Sequence, residues 1–271
     1  MNLKVVEFLF LRCIFKLACF LCFSFFYLFG TSYGISVAVQ AKDISQVRFK
    51  ERMWDSRVLR ILIEGPKYIS ANKEFDILSP PLNTSKEVLG ELKILNNYQG
   101  RKYRTSLQIS EIKREASKKA FVDMFIDAPV VSKKLSRIAY HLLSMADKEC
   151  QYFVVKYKKR FARARPSQLV PNLKLVVPNP GHASYPSGHA TQSMLLAQIL
   201  KIIDPTNSEA YLNYARSMAR RREIAGVHYP SDSLAGQTLA EQILLELIEV
   251  EEFERELNYV TVKFNQNKNK Q

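Results

Sequence analysis

Cysteine is nearly absent from the part of this sequence that could form a folded body. Of four cysteines, Cys13, Cys19 and Cys22 lie in an apolar N-terminal stretch, which leaves Cys150 alone. A lone thiol excludes a disulfide framework. With no second cysteine or histidine at ligand spacing, it excludes a zinc site as well. Glycine is scarce too, nine in 271 residues, and none of them forms a Gly-rich nucleotide fingerprint. No alternation of strand-like and helix-like patterns is present, so a doubly wound α/β sheet is not expected. After the N-terminal stretch no apolar run approaches the roughly 20 residues needed to span a bilayer. No internal repeat is visible.

Acidic residues are also in deficit. They number 26 against 40 lysines and arginines, for a formal net charge of +14 and a pI near 9.6. Such a balance suits nucleic acid, an anionic membrane surface or small anionic substrates as partners, or simply a solvated basic surface. Composition alone does not choose among them. The chain is 47% hydrophobic and 24% charged, which is globular rather than disordered and enough to bury a real core.

Residues 1–41 read as a targeting segment. Lys4, Arg12 and Lys16 form a basic front, and residues 17–30 are mostly apolar. That run is short for a span and suits the apolar region of a signal peptide, with Val39-Gln40-Ala41 as the cleavage site. An uncleaved anchor starting near Val5 is the alternative, and Glu7, Arg12 and Lys16 weigh against it. Residues 42–74 follow as a charged N-terminal arm with one apolar patch, 58–63, and no motif. Pro80-Pro81 then stiffens the entry to a helical region.

From residue 85 the apolar spacing is helical. Helices are expected over 85–100, 106–116, 119–126 and 132–161, the last with Leu135, Ile138, Ala139, Leu142, Leu143 and Met145 on one face. His141 falls near that face and reads as structural. The basic run from Lys156 to Arg165 suits a helix C-terminus, most of it as solvated charge. A loop rich in proline and asparagine spans 169–185 and holds His182, read as a residue without a catalytic role. Further helices are expected over 190–203 and 208–223. A last long helix is expected to be capped by Ser231 with Asp232 in its first turn, and the tail 261–271 to be frayed. The fold expected from this pattern is an all-α single domain.

Three separated blocks stand out. The first holds Lys158 and Arg165-Pro166, the second is Pro186-Ser187-Gly188-His189, and the third runs from Arg222 through His228 to Asp232. Arginine offers a planar fork of donors that matches phosphate oxygens, and lysine adds a compact charge. Histidine is the side chain whose ordinary pKa, about 6.5, lets it attack or donate a proton near neutrality. Ser187 is a favoured N-cap, Gly188 allows close approach to the backbone, and a helix N-terminus binds anions. The turn after His228 can fold it back to Asp232, which would hold one imidazole N–H and fix the tautomer. The inventory suits one task, which is to hold a tetrahedral oxyanion while one histidine attacks and another protonates what leaves.

The blocks resemble the tripartite signature of the type-2 phosphatidic acid phosphatase superfamily. That superfamily includes class A bacterial non-specific acid phosphatases and vanadium-dependent haloperoxidases. The class A enzymes are the nearer likeness, because Phe75–Pro81 (FDILSPP) and the Tyr98–Thr105 stretch are similar too. The resemblance covers roughly residues 75–260. It implies a single-domain helical bundle of the acid phosphatase and haloperoxidase type. His228, oriented by Asp232, would form a phosphohistidine, and His189 would protonate the leaving oxygen and then activate water. Lys158, Arg165, Ser187, Gly188 and Arg222 would hold the phosphate. The activity implied is a secreted or periplasmic acid phosphatase acting on phosphate monoesters, with no metal and no other cofactor.

The implied partners are small phosphorylated substrates. Nucleic acid is not among them, nor is stable membrane insertion once the leader is removed; homo-oligomerisation stays open. The alternatives are a vanadium-dependent haloperoxidase-like enzyme, a phosphatase acting on lipid phosphates, and a non-enzymatic basic binding protein. One departure marks this chain. The family usually has serine before the third-block arginine, and here Arg221 stands there, either gripping a second phosphate or pointing to solvent.

Overall fold

The helix that follows the PSGH block is apolar on nearly every side, and the others are arranged around it. The computed structural model describes residues 43–117 and 120–268, so the expected leader and its cleavage site lie outside the described residues. Among the described residues ten α-helices form: α1 Ser56–Glu64, α2 Lys86–Asn97, α3 Ser106–Glu115, α4 Phe121–Ile126, α5 Lys133–Phe161, α6 Pro166–Leu169, α7 Gly188–Ile203, α8 Ser208–Ile224, α9 Pro230–Ile248 and α10 Glu251–Lys268. Among the described residues there is no strand, only an isolated bridge between Arg48 and Arg163. The expectation of an all-α fold holds.

Helix α7 packs against α5, α8 and α9. Leu195, Leu196, Ile199, Leu200 and Ile203 are fully buried, as an all-round apolar helix requires. The long α5 presents Leu135, Ala139, Leu142, Leu143 and Phe153 to the same core, and α9 adds Leu239, Ile243 and Leu247. Each such side chain contributes about 1.5–3 kcal/mol when fully buried. His141, by contrast, is exposed, because it sits one step off the buried stripe of α5.

The N-terminal arm is a built part of the fold. The Phe49 amide donates to the Ala162 carbonyl at 2.8 Å, and the Asp55 amide to Gly181 at 2.8 Å. Phe49 and Trp54 meet edge to face at 5.6 Å, and α1 lies on α5. The charged sequence hid this, since the apolar residues that dock the arm are spaced irregularly.

Three boundaries differ from expectation. Tyr229 rather than Ser231 occupies the N-cap of α9. Pro230 takes the first helical position, where its missing N–H costs nothing, and Asp232 accepts the Tyr229 amide at 3.0 Å. The tail expected to fray from 261 is helical to Lys268; Phe253, Leu257, Val260 and Phe264 recur at steps of four, three and four and are buried, with α10 packed on α5. Helix α4 starts at Phe121, not 119.

Helices α7 and α9 touch at Gly236. A Cβ there would sit 2.7 Å from the Ser187 carbonyl oxygen and 3.0 Å from Ala190 Cβ. We therefore expect Gly236→Ala to lower stability by about 1–3 kcal/mol, although alanine is the better helix former. A urea unfolding midpoint at or above that of the parent would contradict this packing.

Candidate active site

Charge enters the site from the end of α5. Lys158 is buried in its last turn and donates to the carbonyls of Ala183 at 2.8 Å and Ser184 at 2.9 Å. The helix then stops at Ala162, whose φ of 45° is left-handed, a conformation that costs an alanine energy. The reversal lets Arg165 return to the same carbonyls. Its Nη2 donates to Ala183 at 3.2 Å and to His182 at 3.0 Å, and its Nη1 donates to Val227 at 2.6 Å. Loop carbonyls thus solvate two buried cations where water would otherwise be needed.

The second block behaves as a helix N-terminus. The Ser187 side chain caps α7 by accepting from the Ala190 amide, and its own amide donates to the Asp232 carbonyl at 2.9 Å. Gly188 faces a cavity, and a Cβ there would meet only Val154 and Gln192, no closer than 3.5 Å. The fold therefore tolerates a side chain at 188 that the cavity would not. The His189 Nε2–H donates to the Glu115 carbonyl at 2.9 Å, and the Phe121 ring packs on it at 90°.

The third block closes the site. After α8, Gly226 adopts a φ of 80°, where a Cβ would strike Leu175 at 2.9 Å. This turn brings His228 back against Asp232. The His228 Nδ1 lies 2.9 Å from Asp232 Oδ2. A carboxylate accepts, so Nδ1 carries the proton and Nε2 keeps its lone pair. Arg165 Nη1 stands 3.0 Å from that Nε2. Asp232 further accepts from Ser184 Oγ at 2.5 Å and Arg163 Nη1 at 2.6 Å. Burial would raise its pKa, but the Arg163 charge and the hydrogen bonds from His228 and Ser184 hold it well below the carboxylate range.

The cavity, of ≈ 350 Å³, is lined by Lys158, Gly188, His189, Arg222 and His228, with His182, Gln151 and Gln192 beside them. Val58, Ile61, Phe121, Met124, Val154 and Val155 form its apolar wall. Arg165, Ser187 and Asp232 stand behind this lining. Ser187 Oγ accepts in its capping bond, which leaves its O–H to donate. Arg222 is buried, yet its Nε and Nη1 have no hydrogen-bond partner among the described residues. Leaving such donors unmet is costly, so a bound oxyanion would gain from satisfying them. Among the described residues no three His, Cys, Asp or Glu side chains converge as a metal cage.

Burial of like charges sets the electrostatics. It pushes the Lys158 ammonium well down from its ordinary value, with Arg165 adding to the effect. Burial lowers Arg165 to about 9 and Arg222 to about 10, still charged at neutral pH. His189 falls to about 3 through burial and the neighbouring Arg222 charge. His228 is lowered by burial and Arg165, against the pull of Asp232.

Several partners were not legible beforehand. Arg163, in a run read as solvated, is buried; it pairs with Asp232 and, at 3.2 Å, with Glu91, and its guanidinium lies 3.9 Å from the Tyr229 ring centre. Two arginines two residues apart just before a proline were the available signal. His182, read as a bystander, lines the cavity with Nδ1 3.0 Å from Arg165 Nη2. Arg221 neither faces solvent nor reaches for substrate. It is buried and paired with Glu115 at 2.6 Å, with Ser217 Oγ at 3.0 Å. That pair ties the C-terminus of α3, whose carbonyl holds His189, to α8.

Fold and site together define a helical bundle with one cavity that His189 and His228 line beside the buried Lys158 and Arg222. Residues 137–253, which contain all three blocks, match the PAP2 superfamily and form a PAP2 superfamily domain. Among solved structures, the chain is similar to the first bacterial vanadium-dependent iodoperoxidase (17% identity, TM-score 0.52, covering 65% of this chain and 52% of that one). It is also similar to Aquifex aeolicus LpxE (22% identity, TM-score 0.45, 58% and 92%). A third is the transmembrane PAP2-type phosphatidylglycerolphosphate phosphatase from Bacillus subtilis (14% identity, TM-score 0.43, 60% and 85%). The chain thus spans about half the length of the iodoperoxidase. No curated protein matches the sequence.

Two expectations follow. Arg221→Ala strands the buried Glu115 carboxylate and should cost about 3–5 kcal/mol, most of it regained when Glu115→Gln is added. Additive losses in that double-mutant cycle would show that the pair does not couple. The second concerns acid. With His189 and His228 both lowered from about 6.5, the unfolded chain takes up protons first as pH falls. Stability is therefore full above pH 6.5 and declines on acidification, by up to about 1.4 kcal/mol per pH unit for each histidine. Inorganic phosphate should blunt the decline, because its charge offsets the cations. A melting temperature that rises from pH 7 to pH 5 would contradict these shifts.

Proposed function

We propose that this protein is a phosphatase that hydrolyses phosphate monoesters through a phosphohistidine, in the manner of secreted or periplasmic acid phosphatases. The observation that carries the reading is the His228 imidazole: its Nδ1–H donates to Asp232, and its Nε2 lone pair, 3.0 Å from Arg165 Nη1, borders a cavity where buried Arg222 has unmet donors. His228 Nε2 attacks phosphorus, and the phosphoryl oxygens take donors from Lys158, Arg222 and the start of α7, with Arg165 adding its charge from behind. Positioning and charge do most of the work in such transfers. A phosphate dianion among these cations also raises the proton affinity of His189, so binding itself arms the acid that protonates the leaving oxygen. His189 then draws a proton from the water that releases phosphate from His228.

Supporting the location are the leader-like residues 1–41. The monoester reading, rather than a diester one, rests on a site with three cations, which suits two negative charges.

The test uses p-nitrophenyl phosphate and an alkyl phosphate. Hydrolysis should persist in EDTA and be inhibited by vanadate, a transition-state mimic. His228→Ala should abolish both turnover and an acid-labile phosphoenzyme. His189→Ala should lose ~10²–10⁴-fold on the alkyl ester, whose alkoxide needs a proton, and much less in phosphoenzyme formation from p-nitrophenyl phosphate. Loss of activity in EDTA with recovery on adding a divalent ion would overturn the reading. Halide oxidation by peroxide in the presence of vanadate, without phosphatase activity, would replace it with the haloperoxidase one.

A further inference from the structure

Asp147 is a buried carboxylate that the phosphate chemistry does not use. It lies on α5 between its apolar face and α7 and is 5% exposed. Burial raises its pKa, and the groups that pull it down are two glutamine amides rather than a lysine or arginine. Gln151 Nε2 donates to its Oδ2 at 2.8 Å, and Gln192 Nε2 donates to its Oδ1 at 2.7 Å. A carboxylate held only by neutral donors is poorly compensated, so packing alone gives it little reason to be there.

What Asp147 does is orient the two amides. An ionised carboxylate only accepts, so each glutamine must turn its NH₂ inward and its carbonyl outward. Both glutamines line the cavity that holds His189, His228, Lys158 and Arg222. Gln192 sits one turn beyond Gly188, and its Oε1 lies 3.6 Å from where a Gly188 Cβ would be. Gln151 sits two turns before Lys158 on α5. Neither carbonyl oxygen has a hydrogen-bond partner among the described residues. The cavity therefore carries donors for phosphate at Lys158 and Arg222, and two fixed acceptors on its α5–α7 side.

We propose that Gln151 and Gln192, oriented by Asp147, form a leaving-group subsite that selects phosphate esters whose alcohol carries further hydrogen-bond donors, hydroxyl or ammonium, a few bonds from the ester oxygen. The inference rests on the phosphatase reading above. The Gln192 carbonyl beside Gly188, and that of Gln151 at the edge of the same cavity, lose water when substrate enters. A plain hydrocarbon leaves them unmet, whereas a donor on the alcohol satisfies them. The wall of Val58, Ile61 and Val154 takes the carbon skeleton, and the carbonyls read what it bears. Asp147 acts as a positioning residue and touches no substrate.

The experiment compares kcat/KM for glycerol phosphate, phosphoethanolamine and propyl phosphate, which share a small alkyl ester and differ in donors. The parent enzyme should prefer at least one donor-bearing ester to propyl phosphate by about tenfold or more. Whichever is preferred identifies hydroxyl or ammonium as the group read. Gln151→Leu and Gln192→Leu should each cut that ratio roughly three- to tenfold, as expected for one hydrogen bond, chiefly through KM. Asp147→Asn should lower the ratio as well, since one amide face now opposes a glutamine NH₂ and turns it. Melting temperatures of all variants separate loss of fold from loss of selectivity, and ratios are read only on folded protein. Equal turnover of propyl phosphate and both other esters, or ratios unmoved in both leucine variants, would overturn the subsite while leaving the phosphatase reading intact. Failure to hydrolyse any of the three, or p-nitrophenyl phosphate, would overturn both.

Discussion

The site exists because three cations can be kept together out of water. Lys158, Arg165 and Arg222 are each at most 2% exposed, and mutual repulsion in a low-dielectric interior is severe. Two devices hold them. Carbonyls of His182, Ala183, Ser184 and Val227 replace the solvation of Lys158 and Arg165. Asp232 supplies a deep counter-charge, but half of its capacity is already committed to Arg163. What remains is a net positive pocket with donors to spare, a state that only an anion completes. The neutral histidines, the depressed lysine and the unmet Arg222 nitrogens are all consequences of this arrangement.

Much of this was legible in the chain, for physical reasons. Helices with regular apolar spacing, such as α5 and α7, are written locally, because one stripe of residues decides which face is buried. The three motif blocks are equally local, since a helix start, a Gly turn and a His-to-Asp step of four residues each fix a short piece of geometry. What could not be read were the partners that meet only across the fold. Glu115 and Arg221 are 106 residues apart, and nothing near either one announces an ion pair. Arg163 looked like its solvated neighbours until the left-handed Ala162 turned it inward. The arm was opaque because its anchors are backbone amides, which any sequence has. The tail was misjudged by its charge, which masked a buried stripe at Phe253, Leu257, Val260 and Phe264.

Arg221 shows how a departure from a family pattern is absorbed. Arg221 stands where the resemblance leads one to expect serine, next to Arg222, which lines the cavity; its charge is met by the buried Glu115 at the end of α3. The pair also fixes the carbonyl that holds His189. Arg221 is thus linked to His189 through two contacts, one to the Glu115 carboxylate and one from the Glu115 carbonyl.

The tight crossing at Gly236 has a different kind of implication. Because α7 and α9 meet backbone to backbone there, and the Ser187 amide bonds the Asp232 carbonyl, the oxyanion-facing helix start and the nucleophile's turn are joined as one piece. The cavity's remaining sides come from elsewhere: α1 of the arm, the α3–α4 segment and the middle of α5. Part of the cavity wall is therefore carried by α1, a stretch of chain that holds none of the three blocks. Mutations drifting through residues 56–64 can reshape that wall without touching the three blocks. A scaffold so divided can acquire new substrates by changing its walls while its reaction stays fixed.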